Sequence, residues 1–352
     1  MHHSLKHRLT AFGLDPNNTV VRPHHQGHIN DTYFIEDSSN RYVLQRINDT
    51  IFTDIPSLMQ NLETISAHLK NYYQNSTRCT LTLNKTIDNH TFFVDEVTHY
   101  WRLFDLIPNT QSIEHPTDAI VAYEGAYAFG DFVHGLADLD PNTLRETIPH
   151  FMNLRFRHQQ LLDAIKQDPF GRLTSIEDEL SSIQALSENL LQSLEHESPF
   201  PSRITHNDTK FNNLLFSAQW KALCVVDLDT TMPGSVIHDF SDLVRTAAHR
   251  CPEDSTDLSL AKIEPDLFEA LYKGYCDGLQ STITPFERDT MLRFSHLMPI
   301  MVGLRFYTDY LLGDTYFSTT HEKQNLHRAR VQTRLAEGLF RDLPFLTPPG
   351  SR

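Results

Sequence analysis

Leu58, Leu62, Ile65 and Leu69 recur at intervals of four, three and four residues and draw one apolar stripe along the segment that follows Pro56. That spacing predicts an amphipathic helix. Upstream the period changes. Thr32-Tyr33-Phe34-Ile35 and Tyr42-Val43-Leu44-Gln45-Arg46-Ile47 are rich in β-branched and aromatic residues, and Asp37-Ser38-Ser39-Asn40 lies between them, so they read as two strands joined by a turn. Thr91–Val94 and Thr98–Phe104, parted by Asp95-Glu96, read as two more. Beyond Ile107-Pro108 the pattern turns helical, over about 118–136, 142–166, 174–197, from Asp239, and over 266–278, 285–310 and 321–339. Thr174 and Glu177 have the spacing of a capping box, and Asp239 suits an N-cap. The layout is a strand-rich first third, 1–105, followed by a mostly helical 106–352.

One short apolar pair interrupts the helical part. Leu214-Leu215-Phe216 and Ala222–Val226, joined by the turn-forming Ser217–Lys221, predict a hairpin. Its flanks are polar. Thr205-His206-Asn207-Asp208-Thr209-Lys210-Phe211-Asn212-Asn213 runs in, and Asp227-Leu228-Asp229 runs out. An Asp, an Asn five residues on, and an Asp at the end of an apolar strand supply what phosphoryl transfer needs: a carboxylate for the attacking hydroxyl and oxygen ligands for Mg²⁺. Asp208 is the candidate base and Asn213 and Asp227 the candidate metal ligands, with the hairpin expected to return Asp227 beside Asn213. His206 is expected to orient the loop through hydrogen bonds. Only about ten residues separate Asp229 from the next helix, too few for the long activation segment of a protein kinase, which points to a small-molecule acceptor.

Composition narrows the setting. At 352 residues, with 39% hydrophobic and 21% charged positions, the chain has the length for two lobes with a cleft and the balance of a globular protein. A formal net charge of −15 argues against nucleic acid as a partner. The four cysteines form no C-x-x-C pair, the first residues hold no apolar run, and no stretch has the length of a membrane span, so a cytoplasmic protein with reduced thiols is expected. The 20 histidines show no zinc-site spacing.

In the first third, Gly27 and Asn30 stand where a phosphate-covering loop joins two strands, Arg46 stands where a kinase places its cation for the α- and β-phosphates, and Glu63 is a candidate partner for Arg46. A plain hairpin turn is the alternative for Gly27 and Asn30.

Together these features resemble the aminoglycoside phosphotransferase and choline kinase-like family. Longer strings look like the anomeric sugar kinases that phosphorylate N-acetylhexosamines at C1: Gly27-His28-Ile29-Asn30-Asp31-Thr32-Tyr33, Tyr42–Asn48, Thr205–Asn213, Val226–Gly234 and Arg305–Phe317. The resemblance implies an α+β, bilobal protein-kinase-like fold with a small antiparallel-sheet N-lobe and a larger helical C-lobe. It also implies ATP with Mg²⁺ and a sugar hydroxyl as nucleophile. It assigns base work to Asp208 and metal binding to Asn213 and Asp227, with Asp229 as a second metal contact, and it makes Arg305, Asp309 and Tyr316 candidate sugar contacts. The alternative for these last residues is an Arg–Asp pair that fixes the final helices. Met152 stands after Phe151 where a polar residue is expected, which bears on acceptor choice. Two other readings stay open: a kinase of another acceptor (an amino-alcohol, an aminoglycoside or homoserine), and a kinase-fold protein that binds nucleotide or sugar without turnover.

Overall fold

The computed structural model describes residues 2–24 and 29–346. They fall into two compact units. The first is the chain up to Gln111 together with Asp138–Pro149 and Leu215–Pro233; the second is the remainder.

The first unit is built on an antiparallel sheet. Its strands are β1 (Val20–His24), β2 (Asp31–Glu36), β3 (Arg41–Arg46), β4 (Leu83–Asn84), β5 (Phe93–Val94) and β6 (Tyr100–Asp105), in the order β1-β2-β3-β6-β4, with β5 also on β6. Alternation along each strand sends Ile35, Leu44, Trp101 and Leu103 to one face, where Leu5 and Leu9 of α1 (His2–Ala11) and Phe12 just after it close the core. Neither α1 nor β1 stood out in the sequence: α1 is polar at most positions, and β1 is short and interrupted by Arg22 and Pro23. The expected stripe helix is α2 (Ile55–Tyr72), capped by Asp54, and Leu58, Leu62, Ile65 and Leu69 are all buried. Asn61 on α2 grips Arg145 through both backbone groups, donating to its O at 2.8 Å and accepting from its N at 3.0 Å. That clamp joins 138–149 to this unit.

The second unit is helical: α3 (Ala119–Gly135), α4 (Leu154–Gln167), α5 (Glu177–Glu195), α6 (Val236–Ala247), α7 (Pro265–Leu279), α8 (Pro285–Arg293), α9 (Leu297–Leu311) and α10 (Gln324–Leu346). Helices α3 and α7 pack with backbones nearly touching. A Cβ at Gly274 or Gly278 would sit 2.3 Å from the carbonyl oxygen of Tyr123 or Tyr127, so only glycine fits there.

Three expected helices are cut differently. The span 142–166 is helical only from Leu154, where Asn153 caps by accepting from Phe156 N at 2.9 Å; Pro149 lacks the N–H a continuous helix would need. Helix α5 starts at Glu177, because Thr174 lies in a separate 3₁₀ turn and caps nothing. The span 285–310 breaks at Phe294–His296, where Ser241 donates to Ser295 O and accepts from Met298 N, both at 2.7 Å. A buried serine from α6 thus satisfies the groups that the break exposes.

Candidate active site

The loop that carries Asp208 lies in the second unit and is shaped from beneath. Asp239, read from sequence as an N-cap, does other work: Ser235 caps α6, while the buried Asp239 carboxylate accepts from His206 N at 3.0 Å and Asn207 N at 2.7 Å. The Asp239 backbone oxygen accepts from Thr209 Oγ1 at 2.6 Å. These bonds hold Asn207 in the left-handed region at φ 63°, a conformation that Asn tolerates better than most residues. Gly234 lies against the bend; a Cβ there would meet Thr205 Oγ1 at 2.1 Å and Asn207 Oδ1 at 2.7 Å. Burial pushes the Asp239 carboxyl up to about 6, against the pull of His206 and the two N–H groups.

Asp208 emerges from this bend half-buried, its side chain 22% exposed. Lys210 Nζ is 2.9 Å from Oδ1, and Asn213 Nδ2 donates to Oδ2 at 3.0 Å and to the Asp208 carbonyl at 2.9 Å. Burial alone would raise this carboxyl, but Lys210, with His206 and Arg245 beyond it, outweighs burial and holds it below the ordinary value. With the Asn213 amide nitrogen committed to Asp208, its Oδ1 is the group left to meet a cation. His206 is buried against Phe129 and Phe132 and accepts from Asp208 N through Nδ1 at 3.2 Å, the orienting work expected of it. Lys210 was not singled out among the candidates, although it stands two residues past Asp208.

Asp227 and Asp229 lie in the first unit. Asp227 is exposed and left-handed, at φ 57°, at the end of the strand Ala222–Val225. Asp229 is buried and engaged. Arg102 holds it bidentately at 2.5 and 2.8 Å, and Asn30 Nδ2 donates to Oδ2 at 2.8 Å. Its backbone oxygen accepts from Thr147 Oγ1 at 2.8 Å. A carboxylate committed to a buried guanidinium is a support for the turn, which departs from the expectation of a second metal contact. Arg102 also donates to Gln45 Oε1 from Nε and Nη2, at 3.0 and 2.8 Å. The signal for it was available: one arginine inside the apolar run Tyr100–Asp105.

Gly27 lies outside the described residues. Asn30 does not face outward: its Oδ1 accepts from Asn48 N at 3.0 Å, which ties the turn to the end of β3. Arg46 pairs with Asp31 at 2.6 Å, and Glu63 pairs with Lys85 at 2.8 Å, so the expected Arg46–Glu63 pair is absent. Strand register explains the first pairing, since Asp31 and Arg46 are direct partners across β2 and β3.

On α9, Arg305 and Asp309 part company. Asp309 accepts from Thr315 N and Tyr316 N through Oδ1, and from Phe317 N and Asn325 Nδ2 through Oδ2, at 2.8–2.9 Å. It fixes the turn after α9 without pairing to Arg305. Arg305 instead lies among the rings of Phe151, Tyr316 and Phe317, 5.2–5.5 Å from their centres, with the Tyr316 hydroxyl at 3.3 Å. Arg157 reaches the same place, its Nη2 donating to Phe151 O at 3.4 Å while its Nε is buried without a partner. Burial, with Arg305 adding to it, lowers the Arg157 guanidinium to about 10. Neither arginine has a carboxylate within ion-pair distance among the described residues.

Each unit holds an oxygen group of the kind a hard cation takes. Asn213 Oδ1 and the Asp227 carboxylate are oxygen donors, and Mg²⁺ takes one or two such groups plus nucleotide phosphates. Among the described residues no three His, Cys, Asp or Glu side chains gather as a metal site.

The fold is protein-kinase-like, with an antiparallel sheet in one unit and helices in the other. Residues 20–280 match the phosphotransferase enzyme family, and the chain belongs to it; the protein is a small-molecule phosphotransferase. Among solved structures it is similar to an aminoglycoside phosphotransferase from Alicyclobacillus acidocaldarius (13% identity, TM-score 0.63, 92% of this chain and 91% of that one). It is also similar to a microcompartment-associated aminopropanol kinase (16%, TM-score 0.63, 98% of both) and to a spectinomycin phosphotransferase solved with ADP and spectinomycin (11%, TM-score 0.61, 96% and 98%). No helix of the described residues is long and apolar enough to cross a membrane.

Proposed function

We propose that this enzyme transfers the γ-phosphate of ATP to the anomeric hydroxyl of an N-acetylhexosamine, yielding the sugar 1-phosphate in the cytoplasm. The observation that carries the acceptor is the Arg305 cluster. Three aromatic rings around a guanidinium suit a neutral sugar, whose C–H face packs on a ring while its hydroxyl or acyl oxygen accepts from Arg305. Arg157 in the same cluster adds a second positive charge, which disfavours choline, amino-alcohols and aminoglycosides. Arg305 and Tyr316 are the contacts; Asp309 serves by holding the turn that carries Tyr316.

Asp208 accepts a hydrogen bond from the attacking hydroxyl, aligns its lone pair with the phosphorus and takes the proton as the new P–O bond forms. A carboxylate held below its ordinary value is a weak base, and that suffices, because phosphoryl transfer passes through a loose transition state in which the nucleophile loses its proton late. An anomeric hydroxyl, more acidic than an ordinary alcohol, asks still less of the base. Lys210 balances the charge on Asp208, and Asn213 locks its orientation. Asn213 and Asp227 are the proposed Mg²⁺ ligands; bound Mg²⁺ neutralises phosphate charge.

The test is an acceptor panel of N-acetylglucosamine, N-acetylgalactosamine, choline and homoserine, followed by ADP release and phosphorus NMR. The reading expects turnover of an N-acetylhexosamine, with the new phosphate coupled to the anomeric proton. Turnover of choline or homoserine with none of the sugars would replace it with the amino-alcohol reading.

A further inference from the structure

Two of the four cysteines face each other. Cys79 follows α2, and Cys224 lies in the strand that ends two residues before Asp227. They form an isolated parallel bridge, and Cys79 N donates to Leu223 O at 2.8 Å. Beside it, Arg78 Nε donates to Ala222 O at 3.1 Å, which pins the register. Side chains of directly paired residues leave the strands on the same side. Adjacent strands lie about 4.8 Å apart, within the roughly 4.4–6.8 Å of Cα separation that a disulfide spans.

Their surroundings separate them from the other two. Cys251 and Cys276 are buried, and burial pushes both thiols up, Cys276 to about 11, so they are inert. Cys79 is only half-buried. The neighbouring Cys224 holds its thiol below the ordinary value, while Cys79 beside it and burial raise Cys224, whose Sγ donates to Val225 O at 3.3 Å. A partly exposed sulfur next to a buried thiol is the pairing of an attacking and a resolving cysteine.

We propose that Cys79 and Cys224 are a redox-active pair that peroxide closes to a disulfide, tying the strand that leads into Asp227 to the segment after α2. The Cys79 thiolate attacks one peroxide oxygen, breaks the O–O bond and becomes a sulfenic acid, and the leaving hydroxide takes up the thiol's proton as water. Cys224 sulfur then attacks Cys79 sulfur and expels a second water. Two thiols lose two protons and two electrons, and one peroxide becomes two waters. The bond encloses a long stretch of chain and is opened again by a small dithiol.

The full chain is reduced, freed of reductant, treated with hydrogen peroxide, alkylated in denaturant and analysed by intact mass and peptide mapping. The expected result is a monomer in which two of the four thiols escape alkylation, a linked peptide joins Cys79 to Cys224, and dithiothreitol restores all four. Cys224→Ser should trap a sulfenic acid on Cys79 that reacts with dimedone, and Cys79→Ser should form no link. Four alkylated thiols after peroxide, a disulfide-linked dimer, or a link involving Cys251 or Cys276 would overturn the proposal. Should either serine variant fail to fold, the wild-type peptide map decides alone. Acceptor identity does not enter this test.

Discussion

The bend before Asp208 and the bend at Asp227 each place a non-glycine residue in the left-handed region, Asn207 at φ 63° and Asp227 at φ 57°, and each rests on a buried aspartate. The supports differ in kind. Asp239 is gripped by two backbone N–H groups, and burial pushes its carboxyl up to about 6. Asp229 is gripped by the Arg102 guanidinium in a bidentate ion pair. Backbone donors fix the position of a loop, yet compensate a buried charge only in part. A guanidinium compensates the charge, but makes the turn depend on one long side chain. One bend should therefore be sensitive to pH and the other to mutation.

The largest effect separates chemistry from support. Asp208→Asn keeps the shape but removes the carboxylate, so kcat should fall about 10²–10⁴-fold with the fold and nucleotide binding retained. Circular dichroism and calorimetric titration with Mg-ATP check the second half; near-wild-type turnover would sink the assignment. Next is the support that depends on a side chain. Arg102→Leu leaves the Asp229 charge buried and unpaired, at a cost of about 3–5 kcal/mol in urea unfolding, whereas Arg102→Leu with Asp229→Leu should recover much of it.

The backbone-held support shows itself through pH. The folded value of Asp239, about 6, lies above its ordinary 3.8. Its contribution to stability is therefore present below the lower value and lost as pH rises through the higher one. Across that window the wild type should lose about 1.4 kcal/mol per unit of difference, and Asp239→Asn should remove this slope from urea unfolding series. An unchanged slope would place the titration elsewhere. Asp208 runs the other way: its lowered value makes its contribution present at neutral pH and lost on acidification. The smallest effect reads the left-handed strain. Asp227→Gly and Asp227→Ala should both lose activity, but the glycine variant should be more stable by about 1 kcal/mol, because a Cβ is penalised at positive φ.

Much of the structure around the candidate site was legible because it is local. The Asp208–Asn213 spacing, the hairpin after it and the α2 stripe each depend on neighbours a few residues apart, and periodicity records those. Asp239 was misread for the same reason: close to a helix start a carboxylate looks like a cap, and nothing nearby marks a partner more than thirty residues upstream. Glu63 and Asp229 carried the right residue type for the roles expected of them. Lys85 and Arg102 claim them across the fold.

The sequence by itself pointed to the reaction class, which the family match shows, because a carboxylate, an amide and a second carboxylate around an apolar hairpin are a local pattern. Tertiary structure decided which carboxylates keep contact with solvent. Asp208 stays half-buried beside Lys210 and Asp227 stays exposed, while Asp229, Asp239 and Asp309 are drawn into buried hydrogen bonds. An ionised oxygen taken out of water must find donors, and where those donors lie is a property of the folded chain alone.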